Sequence, residues 1–408
     1  MWGRRRLVAL AAGGGALAIT LGMGAALLID GGGADGPLDI PRIADPYPTP
    51  SRFTMPKNCG LRTATLHKVL PDPEAAPRIG DRCSFHTGRL RPNARYGRLS
   101  VAFSVGKSGP HDDEKPSVAG AMTSFDVATG RVDIAPAQGQ WQTVSGLADE
   151  AAVHYDATND HAEVVLRVQA VKAHITYAIG EAVGEETRPL GEKPAVDGAL
   201  GVAADVARAL GGKVGTPTVG ARPGSAAALP APEPCGLISP ATLRKLGMKP
   251  TAPAEHDTPD HPNLTGANEE RCYWRAGAAE SETDHAALWV LVQIFSDDTQ
   301  GSGEDKAERD FLKTYHELRE RDGIFGHLAP RNFHPLSAPG DQAVAYYLVG
   351  APTDPRRKWS EGVVLFRVRN LLVQVVFEGV SGGEPIPEAV ALNRAYLGAK
   401  DAAAALAG

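Results

Sequence analysis

Gly379-Val380-Ser381-Gly382-Gly383 fits the G-x-S-x-G pattern that places a serine on a sharp turn between a strand and a helix. Such a serine needs an acid and then a histidine later in the chain to take its proton. The last histidine here is His334, well before Ser381, so the motif reads as a glycine-rich turn leaving a strand. Gly31-x-Gly33-x-x-Gly36 has dinucleotide-fingerprint spacing but follows a long apolar run rather than a strand, and is set aside. His111-Asp112-Asp113-Glu114, and His256 to His261 with Asp257 and Asp260, gather ligand-type atoms. Both lie in loops rich in Pro and Gly, without calcium- or zinc-loop spacing, and read as solvated loops. No metal, cofactor or catalytic set is expected.

One loop has binding chemistry. Arg356-Arg357-Lys358-Trp359 places three cations beside an indole, a set able to meet phosphate or an anionic polymer, with the ring adding a cation–π contact. A solvated hairpin loop is the plainer reading of the same residues.

Much of the chain is written twice. Cys59-Gly60-Leu61 with Ala64-Thr65-Leu66 returns as Cys235-Gly236-Leu237 with Ala241-Thr242-Leu243, and Cys83-Ser84-Phe85 returns as Cys272-Tyr273-Trp274. Leu99 to Val105 matches Leu288 to Ile294 at the spacing that separates Cys83 from Cys272. Further on, Val164 to Tyr177 matches Val364 to Phe377. Asp149-Glu150 returns as Asp341-Gln342; a shared general acid would keep its carboxyl in both copies, so a turn or strand-edge role is expected. The four cysteines fall one pair per copy, with no C-x-x-C or paired histidines beside them. Of three possible connectivities, the duplication selects Cys59–Cys83 and Cys235–Cys272, as in a chain that folds where disulfides persist.

The opening residues address location. Arg4-Arg5-Arg6 precedes an uncharged stretch, Leu7 to Ile29, followed by Asp30 and Asp35. A helix of that length crosses a hydrocarbon core of about 30 Å, with the basic flank inside. Cleavage as a signal peptide, giving a secreted protein, is the competing reading. Arg4-Arg5 followed by Leu7-Val8 is also a thin twin-arginine export signal. The formal net charge of −6 argues against a nucleic-acid partner.

The elements that position these groups follow. Residues 1–6 are a cytoplasmic tail, 7–29 the anchor and 30–56 a Pro/Gly-rich spacer. The first repeat covers 57–210, a linker 211–233 and the second repeat 234–408. The spacer's Pro46-Tyr47-Pro48-Thr49-Pro50 favours an extended conformation standing off the bilayer. Each copy is long enough for a core of its own. The pattern predicts helices over Thr63–Leu70, Val196–Leu210, Pro240–Leu246, Glu304–Arg321 and Glu388–Leu406. Strands are predicted over Leu288–Phe295, Ala343–Val349, Val363–Val368 and Leu371–Phe377. In Glu304–Arg321, Ala307, Phe311, Tyr315 and Leu318 share a face that Arg309, Lys313, Glu317 and Glu320 avoid. The first copy shows no match for this helix and reads as trimmed. The fold class is α+β: two duplicated domains, each an antiparallel sheet with packed helices, after an N-terminal transmembrane helix.

A cysteine followed by Gly-Leu and a short helix, a later Cys-x-Trp, an acidic Asp-Gln-Ala segment and a Val-rich final hairpin resemble the small extracytoplasmic domains of unknown function in actinobacterial lipoproteins. They resemble more loosely the outer sensor domains of some actinobacterial kinases. Members often carry a lipid-modified cysteine; this chain has none before Cys59. The resemblance implies a location and a fold, with no agreed activity. The expectation is a membrane-anchored, non-catalytic binding or sensing protein of the cell envelope that contacts an envelope component or protein. An extracytoplasmic hydrolase or a structural envelope protein is the alternative. Protease added to intact spheroplasts should digest everything beyond Ile29 and leave a short membrane stub. A soluble product starting near Gly31 to Gly36 would replace the anchor with cleavage.

Overall fold

The computed structural model describes residues 38–88, 93–107, 115–131, 140–183, 186–220, 227–249, 255–257, 268–276, 284–297, 301–320, 328–350 and 359–407. The anchor segment Leu7–Ile29 lies outside them, and no helix among the described residues is long and apolar enough to cross a membrane.

The first repeat runs through α1 (Thr63–Val69), β1 (Pro73–Ala75), β2 (Arg82–Thr87), β3 (Arg95–Val105), α2 (Val118–Ala128), β4 (Gln142–Leu147) and β5 (Glu150–Asp156). It continues with β6 (His161–Val168), β7 (Val171–Val183), β8 (Glu186–Pro189), α3 (Glu192–Ala209) and β9 (Val214–Val219). The second runs through α4 (Pro240–Lys245), β10 (Glu255–Asp257), β11 (Asn268–Ala276), β12 (His285–Ile294), α5 (Gly303–Glu320), β13 (Leu328–Leu336) and β14 (Gln342–Gly350). It ends with β15 (Trp359–Val368), β16 (Leu371–Ser381), β17 (Glu384–Pro385) and α6 (Glu388–Ala407). The sheets are antiparallel and share the order of seven strands, β1-β2-β3-β7-β6-β5-β4 and β10-β11-β12-β16-β15-β14-β13, with β9 added beside β4 in the first and β8 and β17 paired to the long strands β7 and β16.

The registers of the two sheets correspond at the matched positions. Cys83 faces Val101, then Ile175 and Val164; Cys272 faces Val290, then Val375 and Val364. Both disulfides form as expected, Cys59–Cys83 and Cys235–Cys272, which suits an oxidising, extracytoplasmic location. Each joins the turn before the first helix to the second strand, beneath the closing helix. The cores follow strand alternation: α3 covers Val101, Val164 and Ile175, and α6 covers Val290, Val364 and Val375. Gly362 lets α6 approach β15, because a Cβ there would lie 2.3 Å from the Ala391 carbonyl carbon. The closing helices also cap the opening ones. The N-cap N–H groups of Arg62 and Ser239 donate to Asp205 and Asp401, at 3.1 and 2.6 Å.

Three expectations change. The first repeat is not trimmed: α2 takes the place of α5 in the order, but its Val-Ala-Gly-Ala-Met sequence lacks the charged stripe that marked α5. Part of the linker 211–233 belongs to the first sheet, since β9 pairs with β4. Residues 38–56 form a docked strap rather than a free-standing spacer. Arg42 bridges to Leu336 on the edge strand β13, Ile40 is buried in the second core, and Phe53 packs on Phe103 of the first repeat at 5.5 Å.

The repeats are one compact unit, Ala34–Gly408. In the strap, Asp45 accepts from Tyr315 Oη at 2.8 Å and pairs with Arg319 Nε at 2.8 Å, while the Tyr47 ring packs edge-on against Tyr315 at 4.9 Å. Removing the carboxylate leaves a phenol and a guanidinium without it. Asp45→Ala should therefore lower stability by about 1–3 kcal/mol, read as the chemical-denaturation midpoint. An unchanged midpoint would mean the strap does not hold the fold.

Candidate functional site

Each repeat builds the same polar corner where its β5 or β14 strand begins beside a hairpin turn. In the first, Arg167 lies opposite Glu150; its Nε donates to Glu150 Oε2 at 2.5 Å and its Nη1 to the Gln169 carbonyl at 2.9 Å. Asp149 accepts the Gln169 N–H at 2.6 Å, at a turn residue whose φ is +50°. In the second, Arg367 Nε donates to Gln342 Oε1 at 2.8 Å, Nη1 to the Arg369 carbonyl at 3.0 Å, and Asp341 accepts the Arg369 N–H at 2.8 Å. The repeated aspartate therefore holds a hairpin turn, the structural role its position suggested.

The change from acid to amide decides what fills each corner. Glu150 takes a guanidinium from the other repeat: Arg309 of α5 pairs with Glu150 and with Asp126 of α2. Arg131 adds a third guanidinium, 3.7 Å from Glu150. Gln342 instead donates from Nε2 to the strap's Tyr47 Oη at 3.3 Å. Burial alone would push the Glu150 carboxyl up, but Arg309, Arg167 and Arg131 outweigh it and hold it down at about 2.

The α2 and α5 helices pack antiparallel. At the far end from Arg309, Glu320 of α5 accepts Ser117 Oγ at 2.8 Å and the Val118 N–H at 3.1 Å, capping α2 from the other repeat. Leu312 sits between the ends, against Val118, Met122 and Ala170. Beside this seam opens a cleft of about 570 Å³. Met122, Leu147, Val214 and Leu312 supply its apolar lining, and the cations Arg131, Arg167, Lys213, Lys306 and Arg309 stand among the acids Asp149, Glu150, Asp305 and Glu308. Clefts between domains are common ligand sites. None of its lining residues is a histidine or cysteine.

The residues singled out in the sequence fall elsewhere. Arg356, Arg357 and Lys358 lie outside the described residues, as do His111 to Glu114 and 258–261; Trp359 opens β15 and is half-buried. Ser381 ends β16 and is followed by Gly382 and Gly383 at φ +60° and +78°, so the motif is a hairpin turn. No group of three metal-ligand side chains converges among the described residues. Sequence reasoning missed Arg309, set among the helix's solvent-facing charges, and a carboxyl pair in the second sheet. Glu361 lies opposite Glu378, and burial with the neighbouring carboxyl pushes it up to about 8; Tyr273 Oη donates to Glu378 at 3.1 Å.

No protein-family model matches the chain, and no curated protein matches it. Among solved structures, the crystal structure of the di-domain ARO/CYC StfQ from the steffimycin biosynthetic pathway aligns over 82% of this chain and 85% of that one. The identity is 9% and the TM-score 0.13, a likeness that carries no argument about fold or function.

Glu150 and Arg309 generate an acid-sensitivity prediction. A depressed carboxyl contributes stability above its unfolded value, near 4.3, that is lost as pH falls through about 2. Arg309→Ala leaves Glu150 with Arg167 and Arg131 and Asp126 with Lys313 alone at 3.7 Å, and should cost about 3 kcal/mol at neutral pH, the low end for breaking a buried pair. It should also flatten the loss of stability between about pH 4.3 and 2. Denaturation across that range checks both, and a loss below about 1 kcal/mol, the surface-pair value, would show the pair to be peripheral.

Proposed function

We propose that the protein is a non-catalytic binding or sensing module of the cell envelope, tethered through Leu7–Ile29, that takes its ligand between its two repeats. The cleft of about 570 Å³ supports this reading: both repeats build it, with an apolar floor, walls of mixed charge in which the cations are mated to acids, and no histidine or cysteine among its lining residues. A catalytic site needs a base, a nucleophile or acid, and a stabiliser that converge. The strap adds support, because it docks on α5, the helix that carries Arg309 and Leu312 into the cleft. An extracytoplasmic hydrolase is the second reading, favoured by the Glu361–Glu378 pair, whose raised carboxyl is a proton donor near neutral pH. A structural envelope role is the third.

Ser145 lines the cleft on β4 and is half-buried, so Ser145→Trp fills the space without touching the ion pairs. Envelope lipids, wall fragments and peptides can be screened by thermal shift. Ligand at about 100 times its Kd adds about 2.7 kcal/mol, a shift of a few degrees. The wild type should show that shift with at least one fraction and Ser145→Trp should lose it. A shift kept by the variant would move the site elsewhere, and product release abolished by Glu361→Gln would favour the hydrolase.

A further inference from the structure

The uncovered half of the first sheet carries a different chemistry from the cleft. α2 packs Phe125 on Ala152 and Val165, at one end of this face. The remaining half forms a groove of about 690 Å³. Two cross-strand rows make its floor. One row reads His86, Arg98, Ala178, His161 across β2, β3, β7 and β6. The next, one alternation along, reads Ser84, Ser100, Thr176, Glu163. The Tyr96 ring lies across Gly180 at the end, where a Cβ would come within 2.6 Å of it.

Pairing inside the groove leaves donors over. Glu163 is the acid of the two rows, and both its oxygens are taken, by His161 Nε2 at 3.0 Å and His174 Nε2 at 3.3 Å. These contacts hold its carboxyl down at about 2, so it stays ionised and locks the two rings. Arg98 is exposed and has no carboxylate partner among the described residues; His86 reaches Glu74 only at 3.8 Å. A guanidinium with the His86 imidazole beside it and His161 beyond Ala178, parallel to a row of three hydroxyls, is a donor-rich surface whose fixed positive charge has no carboxylate partner among the described residues.

The second repeat shows that this composition is particular to the first. Its matching rows read Arg275, Ala287, Glu378, Glu361 and Tyr273, Trp289, Val376, Val363. The same backbone positions there carry acids and aromatics, so the sheet architecture does not itself require the basic and hydroxyl rows.

We propose that this groove binds a phosphate-bearing ligand, with Arg98 taking the anionic oxygens and the Ser84, Ser100 and Thr176 hydroxyls donating alongside it. Phosphate suits the site better than carboxylate: its three exposed oxygens accept many donors from different directions, whereas a carboxylate has two oxygens in one plane. The site is separate from the cleft and stands or falls independently of it.

Titration calorimetry of the full chain with sodium tripolyphosphate, and with the tricarboxylate tricarballylate as comparison, tests this. One tripolyphosphate should bind per chain, at least about tenfold more tightly than tricarballylate, and more weakly in added salt. Arg98→Ala should weaken it by at least about tenfold, a charge-assisted bond lost, with the melting temperature unchanged because Arg98 is exposed. Arg275→Ala, in the matching row of the second repeat, should leave binding as it was. The proposal is overturned if the wild type does not bind tripolyphosphate, if Arg98→Ala stays within about twofold, or if tricarballylate binds equally well.

Discussion

The ion pairs of one guanidinium anchor the seam between the two halves of this molecule, with Glu320 capping α2 at its other end. Arg309 leaves a helix of the second repeat and ends between two carboxylates of the first, with 22% of its side chain exposed, against 12% for Glu150 and 4% for Asp126. Charges so placed are tolerated only when mutually paired. The pairing fixes how α5 lies on α2, and that packing sets the walls of the cleft. It also explains why Glu150 can be buried at all: three guanidiniums face it, and one is the residue that holds the neighbouring hairpin.

The duplication supplied two equal corners, and they have diverged in what they hold. An Arg braced against an Asp and a turn carbonyl remains in both. The variable position beside it is a carboxylate in one and an amide in the other, so one corner receives an arginine and the other a tyrosine. The open sheet faces diverged in the same way, with basic and hydroxyl rows in the first repeat and acidic and aromatic rows in the second. Backbone geometry was kept while the exposed chemistry of equivalent positions was exchanged, the pattern of a scaffold carrying different contacts on its two copies.

How much of this was legible follows from which forces are local. The disulfides, strands and long helices were readable, because cystine pairing followed the repeat and alternation or helical periodicity reports burial directly. Positions matched by offset, Cys83 with Cys272 and Val164 with Val364, take equivalent places in the two sheets. α2 was not readable: its small residues form a helix without a charged stripe. The strap was misjudged because proline and glycine set local conformation but say nothing about docking, and Asp45 and Tyr47 find their partners 270 and 295 positions away. Arg309 looked solvated for the same reason. His161 and Glu163 share a face by alternation, but joining them to Arg98 requires the order of β3, β7 and β6, which no local pattern carries.

The distance along the chain between the strap and its partners has a consequence for the order of events at synthesis. A chain emerges from its N-terminus, and contacts between remote segments wait until both exist. The first repeat can close its sheet and disulfide early, but Asp126 and Glu150 then lack Arg309, and the N-terminus of α2 lacks Glu320. Asp45 and Tyr47, made before either repeat, have nowhere to dock until α5 and β14 arrive. The early repeat therefore passes through a stage in which Glu150 keeps Arg167 and Arg131 while Asp126 waits for its partners on α5, so the seam face is left incomplete. Arrival of α5 completes that seam, and the strap docks only after α5 and β14 are made, so that its docking reports the joining of the two repeats.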